Sequence, residues 1–114
     1  MGDLSEHFSR SEFRCRHCGA YKAVSPDLIR VLERIRALSA EPLVIVSGYR
    51  CAVHNRAVGG ASQSQHLYGT AADIGQGRAT LHQARAAGAR GVGTRGRWAV
   101  HVDVRAGRPA SWSY

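Results

Sequence analysis

Apolar residues recur in this chain at two spacings, and glycine, proline and short polar runs separate the stretches that carry them. Leu28, Val31, Leu32, Ile35 and Leu38 keep helical spacing and predict one apolar helix face reaching about Ala40. Ser25-Pro26-Asp27 opens that helix with a capping hydroxyl, a proline at the first helical position and an acid in the first turn. Arg30, Arg34 and Arg36 fall off the stripe and form its solvated side. Glu41-Pro42 breaks the helix, and Leu43–Ser47 predicts a buried strand ending in the loop Gly48-Tyr49-Arg50, a position suited to presenting functional side chains.

Further along, Thr70–Ile74 predicts a strand that carries Asp73, and Thr80–Ala87 an alanine-rich helix ended by Gly88. Gly91-Val92-Gly93 starts a strand or tight turn. Trp98–Val104 alternates, with Trp98, Val100, Val102 and Val104 on one face and Ala99, His101 and Asp103 on the other. The tail from Ala106 to Tyr114 reads as turns, with Trp112 as a packing anchor. Upstream, Ser9 and Glu12 have capping-box spacing for a short helix that Phe8 and Phe13 bracket and pin to the core. CRHCGAYKAV lacks a period and is expected as a loop, and Cys51–Ser64 as a short helical turn followed by a loop.

At 114 residues the chain has room for one modest core, so a single domain spanning 1–114 is expected. An apolar fraction of 44% and a charged fraction of 21% are ordinary for a globular chain, and no apolar run is long enough to span a membrane. The start, MGDLSEHFSR, lacks the basic and apolar segments of a secretory signal, so synthesis in the cytoplasm and another exit route are expected. The net charge of +8 comes almost wholly from arginine, Lys22 being the one lysine. Such charge attracts polyanions, either nucleic acid or an anionic cell wall. The arginines are scattered, and two Trp, four Tyr and two Phe make no stacking platform among them, so no specific nucleic-acid partner is expected.

Cys15, Cys18 and Cys51 are an odd set without a signal peptide, which argues against a disulfide framework. CRHC at 15–18 is half of a zinc-ribbon pattern with no second CxxC. Reduced thiols in a tight loop, a structural metal that recruits Cys51 and a histidine such as His17, and a disulfide to Cys51 all remain open.

The chemistry concentrates in two stretches. Ser64–Asp73, SQHLYGTAAD, sets His66 and Asp73 seven residues apart with Gly69 between them, and Trp98–Val104 holds His101 and Asp103. His66, Asp73 and His101 could close a three-ligand zinc site with one open position, the form of a catalytic site. Beyond Glu41 the chain has no acids except Asp73 and Asp103. With Asp73 on the metal, Asp103 is left as an orienter of a ligand or as a general base.

SGYR at 47–50, HNRAVGGASQSQHLYGTAAD at 54–73 and VHVDVR at 100–105 resemble the zinc D-alanyl-D-alanine carboxypeptidase family and its peptidoglycan endopeptidase relatives, which share their fold with the hedgehog signalling domain. The family pattern Ser-x-His-x-x-Gly-x-Ala-x-Asp is matched by Ser64, His66, Gly69, Ala71 and Asp73. The resemblance implies an α+β fold, a small antiparallel sheet with helices packed on one side and a single zinc site on the sheet. It implies His66, Asp73 and His101 as ligands of one catalytic Zn2+ with water as the fourth. Arg50 matches the family arginine that holds a substrate carboxylate or the oxyanion. Many relatives place the catalytic acid three residues before the last histidine, where this chain has Trp98, and the hedgehog-like position six before it is Arg95. Members with a His-x-Asp ending match better and make Asp103 the expected acid.

The expectation is therefore a monomeric zinc metallopeptidase that hydrolyses a peptide bond in the stem or cross-link of peptidoglycan, acting at the cell wall as a phage or prophage lysin. The short connection Thr94–Arg97, TRGR, suggests an open site and endopeptidase action. The rival is a non-catalytic zinc-binding module that recognises wall peptides or a protein partner.

Overall fold

The computed structural model describes residues 2–60 and 64–114, so residues 61–63 of the expected loop lie outside the described residues. Helix α1 (Pro26–Ser39) begins where Ser25 Oγ accepts the Asp27 N–H at 3.2 Å. Its Leu28, Val31, Leu32 and Ile35 are buried, whereas Leu38 in the last turn is half exposed, because the apolar stripe outlasts the layer it packs on. Two shorter helices follow, α2 (Ala52–Ala57) and α3 (Leu81–Ala86). Thr80 and Gln83 cap α3 reciprocally: Thr80 Oγ1 accepts the Gln83 N–H and Gln83 Oε1 accepts the Thr80 N–H. At the start of the chain a 3₁₀ helix covers Arg10–Phe13, and the Ser9 N–H donates to Glu12 Oε2. Phe8 and Phe13 meet edge to face at 6.2 Å within the core.

The strands are β1 (Ile45–Ser47), β2 (Ala71–Ile74), β3 (Gly91–Arg95), β4 (Trp98–Asp103) and β5 (Ala110–Ser113), in one sheet of order β1-β2-β4-β3-β5. The α+β expectation holds, but the sheet is mixed and not antiparallel throughout: β5 pairs parallel with β3. The chain reverses after β4 and lands on the far side of β3, so part of the tail expected as turns is an edge strand. The other edge is β1. Val46 in this strand, expected to be buried, is half exposed because it stands on the open side of the sheet that lines the cavity, and Val44 just before the strand is also half exposed.

One sheet face carries the core. Ala72, Ile74, Val92, Ala99 and Val102 pack with the apolar residues of α1 and with Ala84 of α3. Burying these side chains is the main stabilising term, at roughly 25 cal/mol per Å² removed from water. The opposite face of β2 and β4 is left for polar side chains. A β-bulge sharpens that division. Gly93 pairs with His101 and Thr94 with Ala99, so Val100 is an extra residue in β4. The simple alternation placed Ala99 beside His101; the bulge instead turns Ala99 into the core and Val100 toward the cavity described below.

Candidate metal centre

Antiparallel pairing of β2 with β4 sets Asp73 directly opposite His101. Cross-strand neighbours on one face lie close enough for their side chains to meet. His66 arrives from the 3₁₀ helix Gln65–Tyr68 just ahead of β2, where Ser64 Oγ accepts the His66 N–H at 3.2 Å. His66 Nε2 and His101 Nδ1 each lie 3.1 Å from the same oxygen, Asp73 Oδ1. The three side chains can offer ligand atoms that all lie within 4.8 Å of one another.

The outer nitrogen of each imidazole identifies the tautomer. His66 Nδ1 is 2.7 Å from the Gly48 carbonyl, and His101 Nε2 is 2.8 Å from Asp103 Oδ2. A carbonyl and an ionised carboxylate only accept, so the protons sit on those nitrogens and the inner nitrogens present lone pairs. Two lone pairs and a carboxylate oxygen directed at one another repel unless a cation or a shared proton lies between them. This N, N, O donor set, with both imidazoles held from behind, fits Zn2+. Where protons instead of a cation fill that space, burial alone would raise the Asp73 carboxyl pKa, yet hydrogen bonds from His101 and His66 hold it well below the usual range. In that same metal-free state burial would lower the His101 pKa, but hydrogen bonds to the Asp103 and Asp73 carboxylates raise it, so a cation entering the site must displace the proton on Nδ1.

Asp103 shares the His101 face, as the alternation predicted, but lies behind the imidazole with none of its surface exposed. Its carboxylate accepts from His101 Nε2, from the Arg105 backbone N–H at 3.1 Å, and from Arg105 Nε and Nη2 at 2.9 and 2.7 Å. Burial opposes the charge, but Arg105 and then His101 hold the pKa well below the usual carboxylate range. The contacts of Asp103 are those of a group that orients the imidazole, and the expected proton-transfer role would need the carboxylate to reach past His101. Arg105 was within the VHVDVR stretch, but nothing in the sequence marked it as the partner of Asp103.

Strand β3 makes room for Asp103 at Gly91 and for the β5 aromatics at Gly93. Gly91 pairs with Asp103 and Gly93 with His101. A Cβ at Gly91 would lie 2.3 to 2.5 Å from the Asp103 carboxyl group, and one at Gly93 would lie 2.8 Å from both Trp112 and Tyr114. The Gly-Val-Gly run is thus a readable signal: small residues on the site face flank a core valine.

Arg50 sits at the edge of the centre. Its Nη2 donates to Asp73 Oδ2 at 2.8 Å, its Nη1 to Asn55 Oδ1 at 3.3 Å and its Nε to Ser47 Oγ at 3.4 Å. A cavity of about 760 Å³ opens over the three donors, and Arg50, Arg95 and Arg105 line it. Trp112 from β5 forms an aromatic wall, its ring 5.1 Å from that of His101. Sequence reasoning placed Trp112 as a packing anchor only; its place over the site follows from the parallel β3–β5 pairing.

A family model described as Peptidase M15 matches residues 6–103, and this chain belongs to that family. The zinc D-Ala-D-Ala carboxypeptidase of Streptomyces albus G is 46% identical over 41 residues, which cover 36% of this chain and 16% of that protein. The chain therefore matches only a small part of that relative's length.

Proposed function

We propose that this chain is a zinc-dependent peptidase that hydrolyses a peptide bond in the stem peptides or cross-links of bacterial peptidoglycan. The observation that carries the reading is the convergence of His66, Asp73 and His101, each imidazole held from behind, on the floor of an open arginine-lined cavity. Membership of a peptidase family and likeness to a protein named for zinc and D-Ala-D-Ala support it. So does the mixed-sheet α+β architecture, which we read as hedgehog-like. Zinc held by these residues would polarise the scissile carbonyl and lower the pKa of a bound water. Asp103 fixes the His101 tautomer, and Arg50 steadies Asp73 and offers positive charge to a substrate carboxylate or developing oxyanion. The other cavity arginines and the net charge of +8 favour an anionic wall. The β3–β4 connection is a tight turn at Gly96, a short border to the cavity that suits endopeptidase action, and we read the chain as a lysin.

One observation favours the rival, a zinc-binding module without turnover: Asp73 carries the only side-chain carboxylate among the described residues lining the cavity. Incubating purified protein with peptidoglycan, with zinc, with a chelator and after zinc is restored, separates the two. Zinc-restored release of peptide fragments supports the peptidase. Zinc binding and wall retention without fragments supports the module.

A further inference from the structure

Next to the loop that carries Arg50 stands a second cluster with no part in the proposed catalysis. Cys15, Cys18 and Cys51 can bring their sulfur atoms within 4.8 Å of one another, although Cys51 is more than thirty residues away in sequence. The geometry points to a second metal site here, a Zn2+ held by these three thiolates, with water completing the tetrahedron.

The local fold is built for metal-thiolate ligation. Cys15 and Cys18 have the two-residue spacing of a structural zinc turn. That turn is closed by the Cys15 N–H donating to the Ala20 carbonyl at 2.8 Å and the Gly19 N–H donating to the Cys15 carbonyl at 2.9 Å. Gly19 follows the second cysteine with φ +74°, a conformation that reverses the chain without a Cβ penalty. Backbone donors already serve the sulfurs: the Cys51 N–H points to Cys15 Sγ and the His54 N–H to Cys51 Sγ, both at 3.4 Å. Such N–H···S contacts spread the negative charge that three grouped thiolates would otherwise concentrate. His17 lies inside the CxxC turn and His54 three residues after Cys51, and their rings stack at 6.0 Å. A disulfide would use two of the sulfurs and leave the third stranded, whereas one tetrahedral ion uses all three.

The position gives the site a purpose. Cys51 immediately follows Arg50 and caps α2, while Cys15 follows the 3₁₀ helix that ends at Phe13. Between these segments the Tyr49 N–H donates to the Phe13 carbonyl at 3.0 Å, and the Arg50 N–H to the His66 carbonyl at 3.2 Å. An ion joining Cys15, Cys18 and Cys51 would clamp the loop that presents Arg50 and the Gly48 carbonyl behind His66.

The test counts zinc in the full chain prepared under reducing conditions. The wild type is expected to hold two ions, and both Cys18→Ser and the double variant His66→Ala/Asp73→Ala one each. Cys18 is exposed, so its serine variant should fold. Cobalt(II) loaded into the double variant should give the near-ultraviolet charge-transfer band of sulfur ligation, lost when Cys18→Ser is added. Zinc should also shield the thiols of the double variant from a thiol reagent. Equal zinc content in wild type and Cys18→Ser, no sulfur-to-cobalt band in the double variant, or a native mass lower by the two hydrogens of a disulfide would overturn the assignment.

Discussion

Replacing Asp103 with asparagine separates an orienting aspartate from a proton-transferring one. In the native arrangement Oδ2 accepts from His101 and Arg105, and Oδ1 accepts from the backbone and side chain of Arg105. Every neighbour of the carboxyl group donates. Asparagine has one acceptor and one donor end, so either orientation turns an NH2 group against N–H groups. With that NH2 toward His101, the proton would be forced onto Nδ1, the atom meant for the metal. Leaving a buried donor unsatisfied costs about 1–3 kcal/mol. Loss of such a partner behind a metal-bound histidine weakens metal affinity about 10–100-fold, equivalent to about 1.4–2.8 kcal/mol. Isothermal titration with zinc should show that loss, and peptidoglycan hydrolysis at saturating zinc should stay within about tenfold of wild type. A proton-transfer role predicts the reverse, because such groups contribute about 10²–10⁴-fold to rate. Unchanged zinc affinity with turnover reduced by that factor would refute the orienting role.

Three further outcomes follow from the same geometry. Gly91→Ala should destabilise the fold by about 1–3 kcal/mol through overpacking, because its Cβ meets the Asp103 carboxyl; a urea midpoint equal to wild type would contradict this. Arg50→Lys should keep zinc but lower kcat/KM about 10²–10³-fold, the scale of a lost transition-state donor, because one ammonium cannot replace a fork that grips Asp73 and faces the cavity. Burial would raise the Glu33 carboxyl pKa, but hydrogen bonds from Ser5 and His7 hold it below the ordinary value. The stability it contributes is complete above the unfolded carboxyl pKa of about 4.3 and fades as pH falls through the lower folded value. Urea midpoints should therefore decline less on acidification in Glu33→Gln than in wild type.

What could be read in advance depended on how local its cause was. Helix α1 was legible because Ser25, Pro26 and the apolar stripe act within a few turns, and the structure starts the helix at Pro26. The grouping of His66, Asp73 and His101 was legible because two short motifs carry all three. Strand β5 was not: its alternate residues are only partly buried, and its existence depends on parallel pairing with a strand fifteen or more residues away. The bulge at Val100 was equally hidden, since a run of Val, His and Asp reads as plain alternation until the Gly93 and Thr94 partners are known. That long-range pairing also decides the placement of Asp103. Its same-face relation to His101 was visible, but whether it lay toward the metal or behind the imidazole depended on Arg105 and on the space left by Gly91.

Whether His66, Asp73 and His101 hold a zinc ion that makes the chain a peptidoglycan peptidase can be decided by mass spectrometry of muropeptides digested by zinc-loaded wild type and by His101→Ala. New peptide termini are expected from the wild type, none after chelation, and none from the variant. Wild-type protein with zinc seated on these residues that releases no fragments, or a His101→Ala protein that digests the wall equally well, would contradict that assignment.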